Sequence, residues 1–393
     1  MKKDWEIKKL GDVCLKRDSI KWKYENSNTE YQYIDLSAVD RESKNITDTQ
    51  IITKENAPSR AQQIVKTGDI LFGTTRPTLK RFSLLSDDYD GQICSTGFCV
   101  LRPNQKTISS HWIFYQFYDE KFYKYIEPLQ KGANYPAVTD KDIFNFPIPV
   151  PPLEEQKRIV KILGEKFAQL ETIKANAQTN LQNAKDLFQS QLTKAFSNTT
   201  WEKKRLGEVC DVRDGTHDSP KFYDKGYPLV TSKNLKNGKI EMINLKYISK
   251  EDYEKINERS KVDINDILFA MIGTIGNPVL VTEEPTYAIK NMALIKDIGS
   301  IFPNYLLFYL SSNCALDKML HDSNGTTQRF VSLNYLRNFE IPLPPLPEQK
   351  RIVKELDTLS EKVRQLQEIY TKQIANCDEL KQSYLQKAFE GEL

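Results

Sequence analysis

The chain has 393 residues, a length that points to two or three domains, and its 39% hydrophobic and 10% aromatic content supports packed cores and excludes a disordered chain. A net charge of +3 is only weakly basic, so any nucleic-acid surface must be a local patch offset by acids elsewhere. No run approaches the roughly 18–20 apolar residues of a membrane span, and "MKKDWEIKKL" lacks the apolar stretch of a secretion signal, so a cytoplasmic location without membrane contact is expected.

In chain order, the first pattern is "WEIKKLGDVC" (5–14), followed by short apolar runs such as "DILF" (69–72) and "FCVLR" (98–102). Turn signals, "KTGD" and "DDYDG", separate them, and "SSHWIFYQFYDEKFYKYI" (109–126) reads as an amphipathic helix. Together they predict a mixed α/β or α+β head. Next comes "NFPIPVPPLEEQKRIVKIL" (145–163). Its proline string arrives extended, proline suits a first helical turn, and Glu154 and Glu155 suit the positive end of a helix dipole. Ile159, Leu163, Phe167, Leu170, Ile173, Ala177, Leu181, Ala184, Phe188, Leu192 and Phe196 then step by three and four, a heptad-like seam along one long helix.

The pattern then starts again. "WEKKRLGEVC" (201–210), "NDILFAM" (265–271), "NMALIKD" (291–297) and "PNYLLFYLSSNCALDKML" (303–320) repeat the first head. "NFEIPLPPLPEQKRIVKEL" (338–356) matches the earlier proline segment at 15 of 19 positions. A second seam runs through Ile352, Leu356, Leu359, Val363, Leu366, Ile369, Ile374, Cys377, Leu380, Tyr384 and Phe389, and the tail "ELKQSYLQKAF" (379–389) repeats "DLFQSQLTKAF" (186–196). The expected division is head one at 1–150, helix one at 151–197, head two at 198–343 and helix two at 344–393. A helix of some 40 residues spans about 60 Å. Parallel helices would oblige the second head to bridge that length between its own ends, so antiparallel coiled-coil packing with an approximate two-fold repeat is expected.

Candidate chemistry is sparse. Cys14, Cys94, Cys99, Cys210, Cys314 and Cys377 form no CxxC pair and none stands near a histidine at zinc-like spacing, so reduced thiols and no metal site are expected. There is no phosphate-binding GxxxxGKS/T loop, no glycine-rich methionine-cofactor loop, and no Asn-Pro-Pro-Tyr type tetrapeptide; "GNPVL" (276–280) falls short of it. His217, beside Asp214 and Asp218, reads as a polar loop residue, and His111 and His321 as surface or helix-end residues.

"IPVPPLEEQKRIV" and "IPLPPLPEQKRIV", each closing a unit that opens "W…LG(D/E)VC", resemble the specificity subunit of type I restriction-modification systems, over essentially the whole chain. The resemblance implies two target recognition domains, each reading one half of a split site in double-stranded DNA. It also implies that the helices set the gap and dock two methyltransferase subunits, which restriction/translocase subunits join. Adenine N6 methylation would reside in those partners, together with S-adenosylmethionine, ATP and Mg2+; this chain would be non-catalytic and bind no cofactor. The alternatives are a stand-alone DNA-binding protein and a coiled-coil adaptor.

DNA readout needs Arg, Lys, Asn, Gln and short hydroxyls on the variable loops. In head one the candidates are Thr74, Thr75, Arg76, Lys80 and Arg81 in "GTTRPTLKR" and Lys131, Asn134 and Tyr135 in "QKGANYPAVTDK". In head two they are Thr216, His217, Lys233, Asn234, Thr274, Lys290, Asn291, Thr327, Gln328 and Arg329. Because these loops differ between copies while "DILF" and "EQKRIVK" persist, an asymmetric bipartite target is expected.

Overall fold

The computed structural model describes residues 5–198, 200–323 and 330–393. The chain divides into two compact units: residues 1–177 with 372–393, and the continuous stretch 178–371. Each unit combines one head with the start of one long helix and the end of the other, so both heads are α+β and both contain helix–helix packing.

The heads share a frame. In the first, the strand Glu6–Lys9 pairs antiparallel with Pro147–Val150; in the second, Lys203–Arg205 pairs with Glu340–Pro342. The four-stranded sheet Cys14–Leu15, Phe98–Pro103, Ile70–Gly73, Phe82–Leu84 has its counterpart in Cys210–Asp214, Ala293–Asp297, Ile267–Ala270, Gly276–Leu280, in the same order. Each head adds a further sheet with one parallel pair, Tyr31–Ile34 beside Ile93–Ser95 and Tyr227–Thr231 beside Ala288–Lys290. The fully buried runs Ile70, Leu71, Phe72 and Ile267, Leu268, Phe269 have side chains on both faces of the sheet covered, which explains their unbroken apolar character.

The repeated motifs are joints of this frame. "LG(D/E)V" forms a one-turn helix, capped in each copy by a carboxylate that accepts from its own N-cap amide: Asp12 from Lys9 N at 3.1 Å, Glu208 from Arg205 N at 3.1 Å. A β-carbon on Gly11 would stand 3.2 Å from Phe144 Cβ, and one on Gly207 3.1 Å from the Arg337 carbonyl, so this glycine permits the close approach of the short helices Asp140–Phe144 and Leu333–Asn338. The buried aspartate of "DILF" pairs across the sheet in both copies: Asp69 with Arg102 at 2.9 Å and Asp266 with Lys296 at 2.8 Å.

The proline segment ends in a buried glutamine in the first turn of each long helix. Gln156 accepts from Ser109 N (2.8 Å) and donates to the carbonyls of Pro151 (2.8 Å) and Thr107 (3.1 Å). Gln349 accepts from Phe302 N (2.9 Å) and donates to the Pro344 carbonyl (2.8 Å). Trp112 and Tyr305, at equivalent positions, donate to the carbonyls of Pro149 and Pro342 at 2.8 and 2.9 Å. Proline withdraws donors from this strand, yet its carbonyls remain available, and the heads use them.

The long helices are Leu153–Ala195 and Leu346–Glu390. Within the first unit they run antiparallel, with Glu171 paired to Lys381, Lys174 to Asp378 (2.7 Å) and Arg158 to the Leu393 carbonyl (2.5 Å). Among the expected seam residues Ile159, Leu163, Ala177, Ala184, Leu192, Ile352, Leu356, Val363 and Cys377 are buried, but Ile173, Leu366, Ile369 and Leu380 are exposed. The seam drifts because polar residues with long stems share it: the Lys381 ammonium sits 5.4 Å from the centre of the Phe167 ring and its stem replaces an apolar neighbour.

The two amphipathic stretches are each broken in two, a correction to the single helices expected. They form Ser110–Gln116 with Glu120–Ile126, and Pro303–Leu310 with Asn313–His321. Asp119 and Ser312 start the second helix of each pair by accepting from Lys121 N (2.9 Å) and Ala315 N (3.3 Å). Each break is held by the end of a long helix. Gln382 donates to the Tyr118 carbonyl (2.9 Å) and accepts from Glu120 N (3.2 Å); Gln189 does the same with Ser311 O (3.4 Å) and Asn313 N (3.3 Å).

Candidate nucleic-acid interface

In the first unit the structure joins the two loops singled out in the sequence. Thr75 and Lys131 both bridge to Ala137, and Val138 N donates to the Thr74 carbonyl at 3.0 Å. Arg76 adopts a left-handed backbone (φ 49°), its amide donates to the Pro136 carbonyl at 2.6 Å, and its guanidinium lies 4.6 Å from the centre of the Tyr135 ring. The same guanidinium donates to the Asn134 carbonyl at 3.1 Å. Arg76, Lys131, Asn134 and Tyr135 are exposed together.

The other candidates in this loop turn inward. The buried Thr74 hydroxyl donates to the Gly97 carbonyl at 2.9 Å. Arg81 donates to the carbonyls of Leu36 and Val39, and Lys80 pairs with Glu120 while lying over the Tyr123 ring at 4.5 Å. These side chains build the loop. Beneath it lies Lys44, which sequence reading missed: its ammonium donates to the Lys80 carbonyl (2.7 Å) and faces the Phe82 ring at 4.6 Å, and burial pushes its pKa down to about 8. Downstream, the loop is tied by the capping box of Thr139 and Asp142. The Thr139 hydroxyl and amide donate to the Asp142 carboxylate at 2.6 and 2.8 Å, holding it below the usual carboxylate range.

In the second unit, Lys233, Asn234, Thr274, Lys290 and Asn291 line one cleft of about 920 Å³. Lys236 and Lys246 add positive charge, and Phe222, Ile243 and Ile272 add apolar wall; Glu241 is the carboxylate within it. The Lys246 ammonium stands 4.2 Å from the centre of the Phe222 ring. Phe222 and Ile243 were not singled out in the sequence. Their signal was there, as apolar residues within the turn-rich stretches "SPKFYDKG" and "EMINLK".

At the edge of this cleft, Thr216 bridges to Lys290, whose ammonium donates to the Asp218 carbonyl (2.5 Å) and the Ser219 hydroxyl (2.8 Å). His217 links Asp214 (2.8 Å) to the Asn291 side-chain oxygen (3.0 Å), and Asp214 also pairs with Arg259. Asn291 takes a left-handed backbone (φ 56°). Asn234 is committed to its own turn, accepting from Thr231 N (3.0 Å) and donating to the Glu241 carbonyl (3.0 Å). Thr327, Gln328 and Arg329 lie outside the described residues. One bridge is shared with the first unit: Ile272 bridges to Phe330 where Thr75 bridges to Ala137.

Among the described residues no group of three or more His, Cys, Asp or Glu is placed to hold a metal, and no helix is long and apolar enough to cross a membrane. What fold and loops define is a duplicated recognition module, one invariant frame presenting two different sets of polar side chains. The type I restriction modification DNA specificity domain matches the chain twice, over residues 2–182 and 198–374, and the chain belongs to that family. Its members are specificity subunits, non-catalytic themselves.

Among similar proteins, the EcoKI specificity subunit of Escherichia coli K12 is 26% identical, covering 76% of this chain and 69% of that one. The MjaVIII specificity subunit of Methanocaldococcus jannaschii is 24% identical over 91% and 86%. Two solved chains are each 30% identical across this entire chain. One comes from work on complex assembly and conformational transition of the type I R-M system, with 99% of it covered and a TM-score of 0.87. The other is the HsdS subunit of Thermoanaerobacter tengcongensis, with 98% covered and a TM-score of 0.64.

Proposed function

We propose that this chain selects a split, asymmetric DNA sequence, one half per head, and brings methyltransferase and restriction/translocase subunits to it. The observation that carries the reading is the pairing of a shared sheet and bridge with changed side chains. Thr75, Arg76 and Tyr135 occupy one head, while Ile272, Gly273 and the cationic cleft occupy the other. Different polar side chains carried on a shared frame are what two different half-sites require.

Support for docked partners comes from apolar residues left exposed on the long helices, Ile173 and Leu380 in the first unit and Leu366 and Ile369 in the second. S-adenosylmethionine, ATP and Mg2+ would be bound by those partners, in keeping with the absence of the corresponding motifs from this sequence. The test is to co-express the chain with its methyltransferase subunit, purify the complex, and select from a randomised duplex library. The expected result is co-elution and enrichment of a bipartite, non-palindromic motif. A palindromic motif would remove the two-reader inference, and a chain that binds DNA without co-eluting would remove the partner.

A further inference from the structure

We propose that Arg76 reads a guanine in the half-site of the first unit and that Tyr135 is its positioning residue; this rests on the DNA-selecting function above. Of the other arginines of the same unit, Arg41 and Arg60 are exposed and four are committed to protein groups. Arg17 pairs with Asp140, Arg102 with Asp69 and Asp18, Arg158 with Glu155, and Arg81 donates to main-chain carbonyls. Arg76 has no carboxylate partner among the described residues, and a single side-chain hydrogen bond, to the Asn134 carbonyl at 3.1 Å, uses one of its five N–H donors.

Its position is nevertheless constrained. The guanidinium lies 4.6 Å from the centre of the Tyr135 ring, which is itself 69% exposed and so spends its face on the arginine rather than on a core. A guanidinium held against a ring loses less further freedom when its fork engages the paired acceptors O6 and N7 of guanine in the major groove.

The backbone makes a second, independent argument. Arg76 sits at φ 49°, a conformation unfavourable for a residue with a β-carbon, and at the equivalent place in the second unit the chain has Gly273 at φ 78°. The loop geometry therefore suits glycine. An arginine kept there against its backbone preference points to a side chain needed for contact rather than for the loop. It also confines the effect to one half-site, since Gly273 has no side chain with which to read a base.

The test selects from a duplex library randomised over both half-sites, using the complex of this chain with its methyltransferase subunit. The variants are Arg76→Lys, Arg76→Gly, Tyr135→Ala and Tyr135→Phe. Wild type should enrich one half-site with an obligatory guanine. Arg76→Lys, Arg76→Gly and Tyr135→Ala should reduce the preference for that guanine about 10- to 100-fold and leave the other half-site unchanged. Tyr135→Phe, which keeps the ring, should retain it. Arg76→Gly should melt no lower than wild type, which separates lost reading from lost folding.

An unaltered motif in Arg76→Gly overturns the assignment. So does a uniform loss of affinity across all sequences, which would mark a phosphate contact, or a first half-site without guanine. A wild-type complex that enriches no motif removes the DNA-selecting function itself, and the assignment with it.

Discussion

Gln156 and Gln349 are uncharged, yet they carry the joints between head and helix. Each is buried with both ends of its amide engaged. Replacing either with leucine keeps the volume but strands its partners: Ser109 N and the carbonyls of Pro151 and Thr107 in one case, Phe302 N and the Pro344 carbonyl in the other. Unpaired buried groups cost about 1–3 kcal/mol each. Gln156→Leu and Gln349→Leu should therefore each lower unfolding stability by about 2–5 kcal/mol, with Gln156→Leu the worse of the two. Urea unfolding would show it. Equal and negligible effects would mean that water replaces the amide and that the repeated "EQKRIV" owes its persistence to something else.

Among the elements, the helix Asp140–Phe144 determines how the reading loop of the first head is anchored. Its start depends on Thr139 and Asp142 serving each other. Thr139→Ala should cost about 1 kcal/mol, as loss of an N-cap typically does. Asp142 adds a pH dependence of definite sign. The Thr139 hydroxyl and amide hold its folded pKa below the unfolded value near 4, so its contribution is present above about pH 4 and lost as pH falls through the folded value. Asp142→Asn should thus be less stable than wild type at pH 6, and the gap should close on acidification; urea midpoints at pH 6 and pH 3 measure it. A gap that stays constant would contradict the assignment.

How far such elements could be read from sequence depended on what each residue answers to. The long helices were legible because local spacing and capping dictate them. The break at Asp119 was not, since the apolar period runs on through it and only the cap and Gln382 from a distant helix stop the first segment. Arg76 and Tyr135 were legible as loop residues, but their stacking follows from the Thr75–Ala137 bridge, a contact between segments that no local pattern encodes. The second seam was misread at Leu366, Ile369 and Leu380, which are exposed although Cys377 and Phe389 are buried; beside Leu380, Lys381 and its stem count as polar in a sequence and as cover in a helix pair.

For the molecule as a whole, each compact unit is completed by a helix end that comes from the other repeat of the sequence. Leu385, Ala388 and Phe389 belong to the core of the first head, with the Phe389 ring 5.3 Å from that of Trp112. Leu192 and Phe196 belong to that of the second, with Phe196 5.4 Å from Tyr305 and 5.2 Å from Tyr309. The tails "DLFQSQLTKAF" and "ELKQSYLQKAF" agree at both leucines, the glutamine, the serine and the closing "KAF"; of these the glutamine holds the break between two head helices, and the second leucine, the alanine and the phenylalanine pack against a head core. This arrangement reverses the naive expectation from chain order. Phe389→Ala should destabilise the first head, some 270 residues upstream, by the roughly 3–5 kcal/mol typical of a buried phenylalanine, while the head that immediately precedes it in sequence keeps its protection. Phe196→Ala should do the opposite, loosening the second head and sparing the first. Hydrogen exchange resolved by peptide separates the two heads and decides the matter. Were Phe389→Ala to loosen residues 203–342 and leave 6–150 protected, each helix end would belong to its own repeat, and the exchange of ends between repeats would be wrong.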